Sequence, residues 1–255
     1  MNEESGLTIS ERIIVTVRTY PVISQRYMET VCTGGITDRG EWRRLYPVAL
    51  RYLEPERQYK TFDVVEVGVK AGKDTRPESR TPVIASLRVV SHVNSWPQRR
   101  DWIEKTAFSS LEEMMAAGRS LAPVRVREAL EFIAEPAAAQ WTAAQIEQLG
   151  QGDLFVERKT LEKIPFDFRF RWIDGAGNEY NSHVIAWEFG ETWRQYRAKY
   201  QDPVTVMRDK WMNDLCSPNR DVLFFMGNNN RFRDQFYLCG IFGPPKQKES
   251  DGRLW

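Results

Sequence analysis

Histidine, the side chain that titrates closest to neutral pH, occurs only twice in this chain of 255 residues, as His92 and His183. His183, in Asn181-Ser182-His183-Val184, is a candidate general base, with Glu188 or Asp174 as the carboxylate beside it. A lone histidine in a strand is also a hydrogen-bonded structural residue. Extending strand alternation to Ile185 and Trp187 puts apolar neighbours on its face and predicts a buried, neutral imidazole. Neither histidine has a second at i+2 or i+4, and Cys32, Cys216 and Cys239 are too widely spaced for a four-ligand zinc site. The nearest approach to a Mg²⁺-holding set is Asp63, Glu66 and Lys70, but alternation places Asp63 on the face opposite the other two. Cys32 lies beside Thr33-Gly34-Gly35 and would need an imidazole partner to act as a nucleophile. No metal and no cofactor is expected, because the chain has no phosphate loop, no dinucleotide fingerprint and no nucleophile elbow.

A second chemistry is arginine interleaved with aromatic rings: Trp42-Arg43-Arg44-Leu45-Tyr46, Arg51-Tyr52, Arg57-Gln58-Tyr59, Trp96-Pro97-Gln98-Arg99-Arg100 and Arg231-Phe232-Arg233. Guanidinium groups fork onto phosphates while aromatic faces stack bases. The structural alternative is that the rings are core and the arginines pair with Glu41, Glu54 and Glu56 at the rim. The formal charge of +1 conceals an uneven distribution. Residues 12–100 carry 16 bases against 9 acids, while residues 101–165 carry 7 against 11. Candidate nucleic-acid contacts are therefore Arg43, Arg44, Tyr46, Arg51, Arg57, Arg99 and Arg100, and the acidic stretch is a candidate surface for a protein partner.

The elements that must position these residues follow from periodicity. Arg12–Thr19 is rich in β-branched residues, and Tyr27–Ile36 reads as a strand stopping at Gly34-Gly35. Glu41–Tyr46 alternates, with Trp42, Arg44 and Tyr46 on one face, and stops at Pro47; Lys60–Lys70 and Val83–Val93 supply two more strands. Five short strands with no crossover helix between them predict a small SH3-like or OB-like barrel over residues 10–95. Capping-box patterns at Ser109–Glu113 and Thr142–Gln145, in Ala-rich sequence, predict a helical bridge over 96–162. Residues 163–245 read as an α+β unit. It comprises a hairpin from Phe166 to Trp187 turning at Asp174-Gly175-Ala176-Gly177-Asn178, helices over 190–215 broken at Asp202-Pro203, and strands at Asp221–Met226 and Gln235–Phe242.

Thr19-Tyr20-Pro21, Glu29–Ile36, Gly40–Pro47, Leu223–Gly227 and Gly240–Pro245 resemble a bacterial family without an assigned function that is associated with mobile elements and phage-defence gene clusters. The order of Asp221–Phe225, a polar loop and Leu238–Ile241 is similar to the end of PUA-like modules, which bind modified or flipped bases. The leading expectation is a nucleic-acid-binding accessory protein with DNA or RNA as partner. The alternatives are an enzyme acting on nucleic acid or nucleotides through His183 and nearby carboxylates, and a protein-interaction scaffold. A mean hydropathy of −0.53 and a start at Met1-Asn2-Glu3-Glu4-Ser5 without a basic-then-apolar order predict a cytoplasmic protein with no membrane contact.

Overall fold

Valine and isoleucine at alternate positions build the N-terminal third as strands, because the branched side chains fit a pleated surface and every second one can face inward. The computed structural model describes residues 7–24, 28–143, 147 and 161–247. In it β1 (Ile9–Arg18), β3 (Met28–Thr37), β4 (Trp42–Val48), β5 (Asp63–Lys70) and β6 (Ser79–His92) form a ring, β1-β5-β6-β4-β3 and back to β1; the short β2 (Val22–Ser24) pairs outside β3. The β4–β6 pair is parallel and the others are antiparallel. This is the five-stranded Greek-key closure of an OB-like barrel, which leaves no open edge. Ile13, Val15, Val31, Leu45, Val65, Val67, Val69 and Leu87 fill the interior.

Two local expectations are corrected. Gly34-Gly35 does not end a strand: both pair with β1 inside the ladder, and a Cβ on Gly35 would sit 2.4 Å from the Ile14 carbonyl oxygen. Glycine is there for close approach of two backbones. Pro47 does not end β4 either; the strand runs to Val48 through a cis Tyr46–Pro47 bond.

Among the described residues the predicted bridge is helical at α1 (Trp96–Ile103) and α2 (Leu111–Ala116), and Ala143 and Glu147 are helical as well. The expected cap on α2 forms: Ser110 Oγ accepts from Glu113 N at 3.0 Å, and the Glu113 carboxylate accepts from Ser109 N at 2.8 Å. The next 16 residues, β7 (Leu121–Pro136), are a strand. Glu, Ala and Leu in this stretch favour helix in isolation, but pairing on both sides overrides that preference. The second capping pattern, at Thr142–Gln145, lies in part outside the described residues. β7 is the centre of a sheet ordered β11-β10-β7-β8-β9, with β8 (Phe166–Asp174), β9 (Glu179–His183), β10 (Leu223–Asn228) and β11 (Phe236–Phe242). The second body therefore begins well before residue 163.

One face of this sheet carries α3 (Trp187–Arg197), α4 (Pro203–Arg208) and a π-helical turn, Asp209–Leu215. Phe168, Phe170 and Trp172 point to that side, while Arg169 and Arg171 alternate outward. The other face of β10 and β11 lies on the barrel, where Leu223, Phe225, Cys239 and Phe242 meet Ile14, Val17, Ile36, Trp42 and Val64. All of β10 is thus buried, its odd and even positions entering different cores, which explains its unbroken apolar run.

Candidate nucleic-acid interface

Where β1 ends, backbone contacts cross from one body to the other: Tyr20 N donates to Ile185 O at 2.7 Å, and Thr19 forms a bridge with Ala186. Beyond this crossing the barrel and the second sheet diverge around a cleft of about 1000 Å³. The barrel supplies the β1–β3 connection (Thr19 to Val22), Thr30 and Cys32 of β3, Arg44, Tyr46 and Pro47 of β4, and the β5–β6 loop (Gly72, Lys73, Asp74, Arg76). The second body supplies Trp141, Lys163, Phe166, Phe168, Phe189, Gly190, Tyr237 and the end of β10 with the start of the loop after it, Gly227 to Asn230. Five cations (Arg44, Lys73, Arg76, Arg80, Lys163) stand against two carboxylates (Asp74, Asp167).

Local interactions fix the walls. Tyr20 lies against α3 where Gly190 has no side chain; a Cβ there would be 2.4 Å from the ring. The Tyr20 hydroxyl donates to Glu162 O at 2.7 Å. Lys163 Nζ sits 5.5 Å from the centroid of the Trp141 ring, a cation–π contact, and Trp141 Nε1 donates to Leu161 O. In the β5–β6 loop Arg76 forks onto Asp74 and donates through Nη1 to Asn228 O, tying the two lips of the cleft together. Burial alone would raise the Asp74 carboxyl, but the Arg76 side chain and backbone N–H hold it down at about 2. Its folded value is below the unfolded one, so the stabilisation is present above the ordinary carboxylate range and is lost as pH falls through about 2. A carbon-detected NMR titration is expected to give Asp74 a midpoint near 2; a midpoint near 4 would mean that the fork is not formed in solution.

The sequence-derived arginines fall into two groups. Arg44 and Tyr46 line the cleft, on the face that alternation assigned them. The other five are engaged within the protein. Arg43 forks onto Glu11 and also pairs with Glu41; Arg51 forks onto Glu29. Arg57 pairs with Glu54 at 3.4 Å on the surface. Arg99 stacks 3.9 Å from the Phe62 ring centroid and donates to Val93 O, and Arg100 is buried against Glu104 and Asp221. Two acids of the predicted bridge pair within their own sheet, Glu131 with Arg171 at 3.4 Å and Glu135 with Arg169 at 3.9 Å.

His183, Asp174 and Glu188 do not share a site. Asp174 is buried and closes the hairpin turn, accepting from the backbone N–H groups of Ala176, Asn178 and Leu111. Glu188 accepts from Arg18 and Thr61 of the barrel side. His183 is half-buried, which corrects the expectation of full burial. Its strand ends at His183, and the β8–β9 register sets Ser182 opposite Phe170 on the inward face and His183 opposite Arg169 on the outward one. Trp172 Nε1 donates to Ser182 Oγ at 3.0 Å. The Arg169 guanidinium donates to His183 Nε2, and burial first and the Arg169 charge second lower the imidazole pKa, so the ring is neutral at pH 7. It borders a shallower hollow of about 500 Å³ that shares Phe166, Asp167, Phe168 and Tyr237 with the large cleft. Asp63, the proposed metal carboxylate, is buried on His92 Nδ1 at 2.6 Å. Cys239 and Cys216 are thiols pushed up to about 12 by burial, while Cys32 is half-buried in the cleft wall.

Sequence reading missed Tyr20, Lys73, Arg80, Trp141, Lys163 and Phe166 as cleft residues. They come from separate loops and strand ends, and no local spacing links them.

A closed OB-like barrel roofed on one side by a second, five-stranded sheet defines the class of the molecule. The chain belongs to the family described as domain of unknown function DUF8757, whose model matches residues 100–254. A second model, domain of unknown function DUF8758, matches residues 9–105. The two matches meet at α1, where the barrel hands over to the second sheet. No curated protein matches the chain. Among the described residues no helix is long and apolar enough to cross a membrane.

Proposed function

We propose that this protein binds nucleic acid as a single strand, in the cleft between the barrel and the second sheet. One observation carries the reading. In OB-like barrels oligonucleotides lie across the second and third strands of the barrel, framed by the first-to-second and fourth-to-fifth strand connections. Here those parts are β3, β4, the Thr19–Val22 segment and the loop at residues 72–76, all of which line the cleft. The cations and rings there match what an unpaired strand offers, a charged backbone and stackable faces. A duplex is too wide to enter a space of about 1000 Å³ closed by a second sheet. The setting suggested by the sequence resemblance, an accessory role in mobile elements or phage defence, belongs to this proposal as well.

Lys73 is exposed and Arg80 donates to the carbonyls of Pro77 and Ser79, and among the described residues neither forms an ion pair that its replacement would break. With Lys73, Arg80 and Lys163 on phosphates, affinity for a single strand is expected to fall about 20-fold between 50 and 200 mM salt, from a slope of about −0.7 per contact. The Lys73→Ala/Arg80→Ala double variant is expected to weaken binding at every salt concentration and to flatten the slope by about 1.4. Bound strand should also protect Cys32 from alkylation while leaving Cys216, which is not in the cleft wall, unchanged. Unchanged affinity in the double variant together with an unprotected Cys32 would overturn the proposal.

A further inference from the structure

Arg44 stands apart from the other buried arginines. Arg43, Arg76 and Arg100 each hold a carboxylate in a direct ion pair. Arg44 is only 4% exposed, yet the acceptors it finds among the described residues are the Ser120 carbonyl and hydroxyl oxygens, at 2.7 and 3.4 Å from Nη2, and the Cys32 sulfur, 3.4 Å from Nη1. Among the described residues its Nε–H has no acceptor. Glu78 lies behind Ser120, which donates both its N–H and its hydroxyl to that carboxylate. A buried guanidinium with a neutral carbonyl and a thiol as partners is incompletely satisfied, and it lines the cleft.

We propose that Arg44 reads the acceptor edge of one unpaired guanine held in the cleft; this deepens the nucleic-acid reading above and rests on it. A phosphate is the weaker candidate for this position. Backbone phosphates stay hydrated, and exposed Lys73 and half-buried Arg80 at the rim are placed for them. The cleft that Arg44 lines also offers flat or apolar surface, from Tyr46, Phe166, Phe168 and Ile185. Among the bases, guanine presents two adjacent acceptors, O6 and N7, that match a guanidinium fork, whereas adenine puts an amino donor beside N7 and would oppose it. A purine also covers more of the aromatic wall than cytosine does.

The test is fluorescence anisotropy with thymidine oligonucleotides carrying one central guanine, adenine, cytosine or 7-deazaguanine. The guanine strand is expected to bind about tenfold more tightly than the adenine or cytosine strand, and 7-deazaguanine, which lacks N7, to lose most of that advantage. Arg44→Lys is expected to bind all four strands alike while still unfolding in one cooperative step; the 7-deazaguanine strand keeps the test valid if that variant does not fold. Guanosine should compete and inorganic phosphate should not. Equal binding of all four strands by the unaltered protein, tightest binding of adenine or cytosine, or displacement by phosphate but not guanosine, would overturn the assignment of Arg44 and leave single-strand binding standing. No binding of any strand would overturn the functional proposal itself.

Discussion

Glu11→Ala is expected to lower the unfolding free energy by about 3–5 kcal/mol, because it strands a guanidinium that has little access to water. Arg43 Nε and Nη2 both donate to the Glu11 carboxylate, at 2.7–2.9 Å, where the two side chains are 10% and 8% exposed. The exposed Glu41 holds Arg43 from the other side and compensates only weakly, since a half-solvated carboxylate is screened. The measurement is urea unfolding followed by tryptophan fluorescence, with the loss appearing in the midpoint at constant slope. Replacing both partners, as Glu11→Leu/Arg43→Met, should recover most of the loss, because the penalty lies in the unpaired charge more than in the missing bond. A loss below about 1 kcal/mol in the single variant would show that water reaches the pair.

Phe189→Ala should be comparably damaging, at about 3–5 kcal/mol. Phe189 is 1% exposed and stacks on Trp211 with ring centroids 3.9 Å apart and planes 13° from parallel. Phe132, Phe168 and Phe170 surround it at centroid distances of 6.0–6.1 Å. Because Phe189 also lines the cleft, the same change is expected to weaken strand binding beyond its cost in stability. Thr205→Ala, which removes only an exposed side-chain contact to Asp202 on α4, provides the comparison. Equal unfolding midpoints for the two variants would mean that the aromatic cluster repacks around the hole.

The barrel was legible because its strands are short, local in sequence and strongly alternating. Val65, Val67 and Val69 point inward as the pattern required, and Trp42, Arg44 and Tyr46 share a face. β7 was illegible for the converse reason. Glu128, Ala129, Leu130 and Glu131 favour helix individually, and what makes them extended is a partner, β8, that begins 30 residues after β7 ends. The arginine pattern was visible and its meaning was not. The carboxylates that claim Arg43 and Arg51, Glu11 and Glu29, lie 32 and 22 residues away in sequence. Of the seven candidate contacts read from the sequence, Arg44, whose direct partners among the described residues are a carbonyl, a hydroxyl and a thiol, and Tyr46 line the cleft. His183 was misplaced by one structural fact, the end of β9 at that residue, which stops the alternation that had been carried on to Ile185 and Trp187.

The burial of β10 on both sides bears on how such chains are inherited. Two family models divide the sequence near residue 100, which invites the idea of two modules that recombine freely. Yet a barrel segment without its companion would show Ile14, Val17, Ile36, Trp42 and Val64 to water as one apolar wall, and the companion alone would show Leu223, Phe225 and Phe242. Arg100 adds a tether, reaching from α1 to Asp221 and the Pro245 carbonyl at the far end of the chain. The two segments are therefore obligate neighbours: a gene that gains or loses one of them must replace the wall it covered, so shuffling is restricted to partners that bring a matching apolar face.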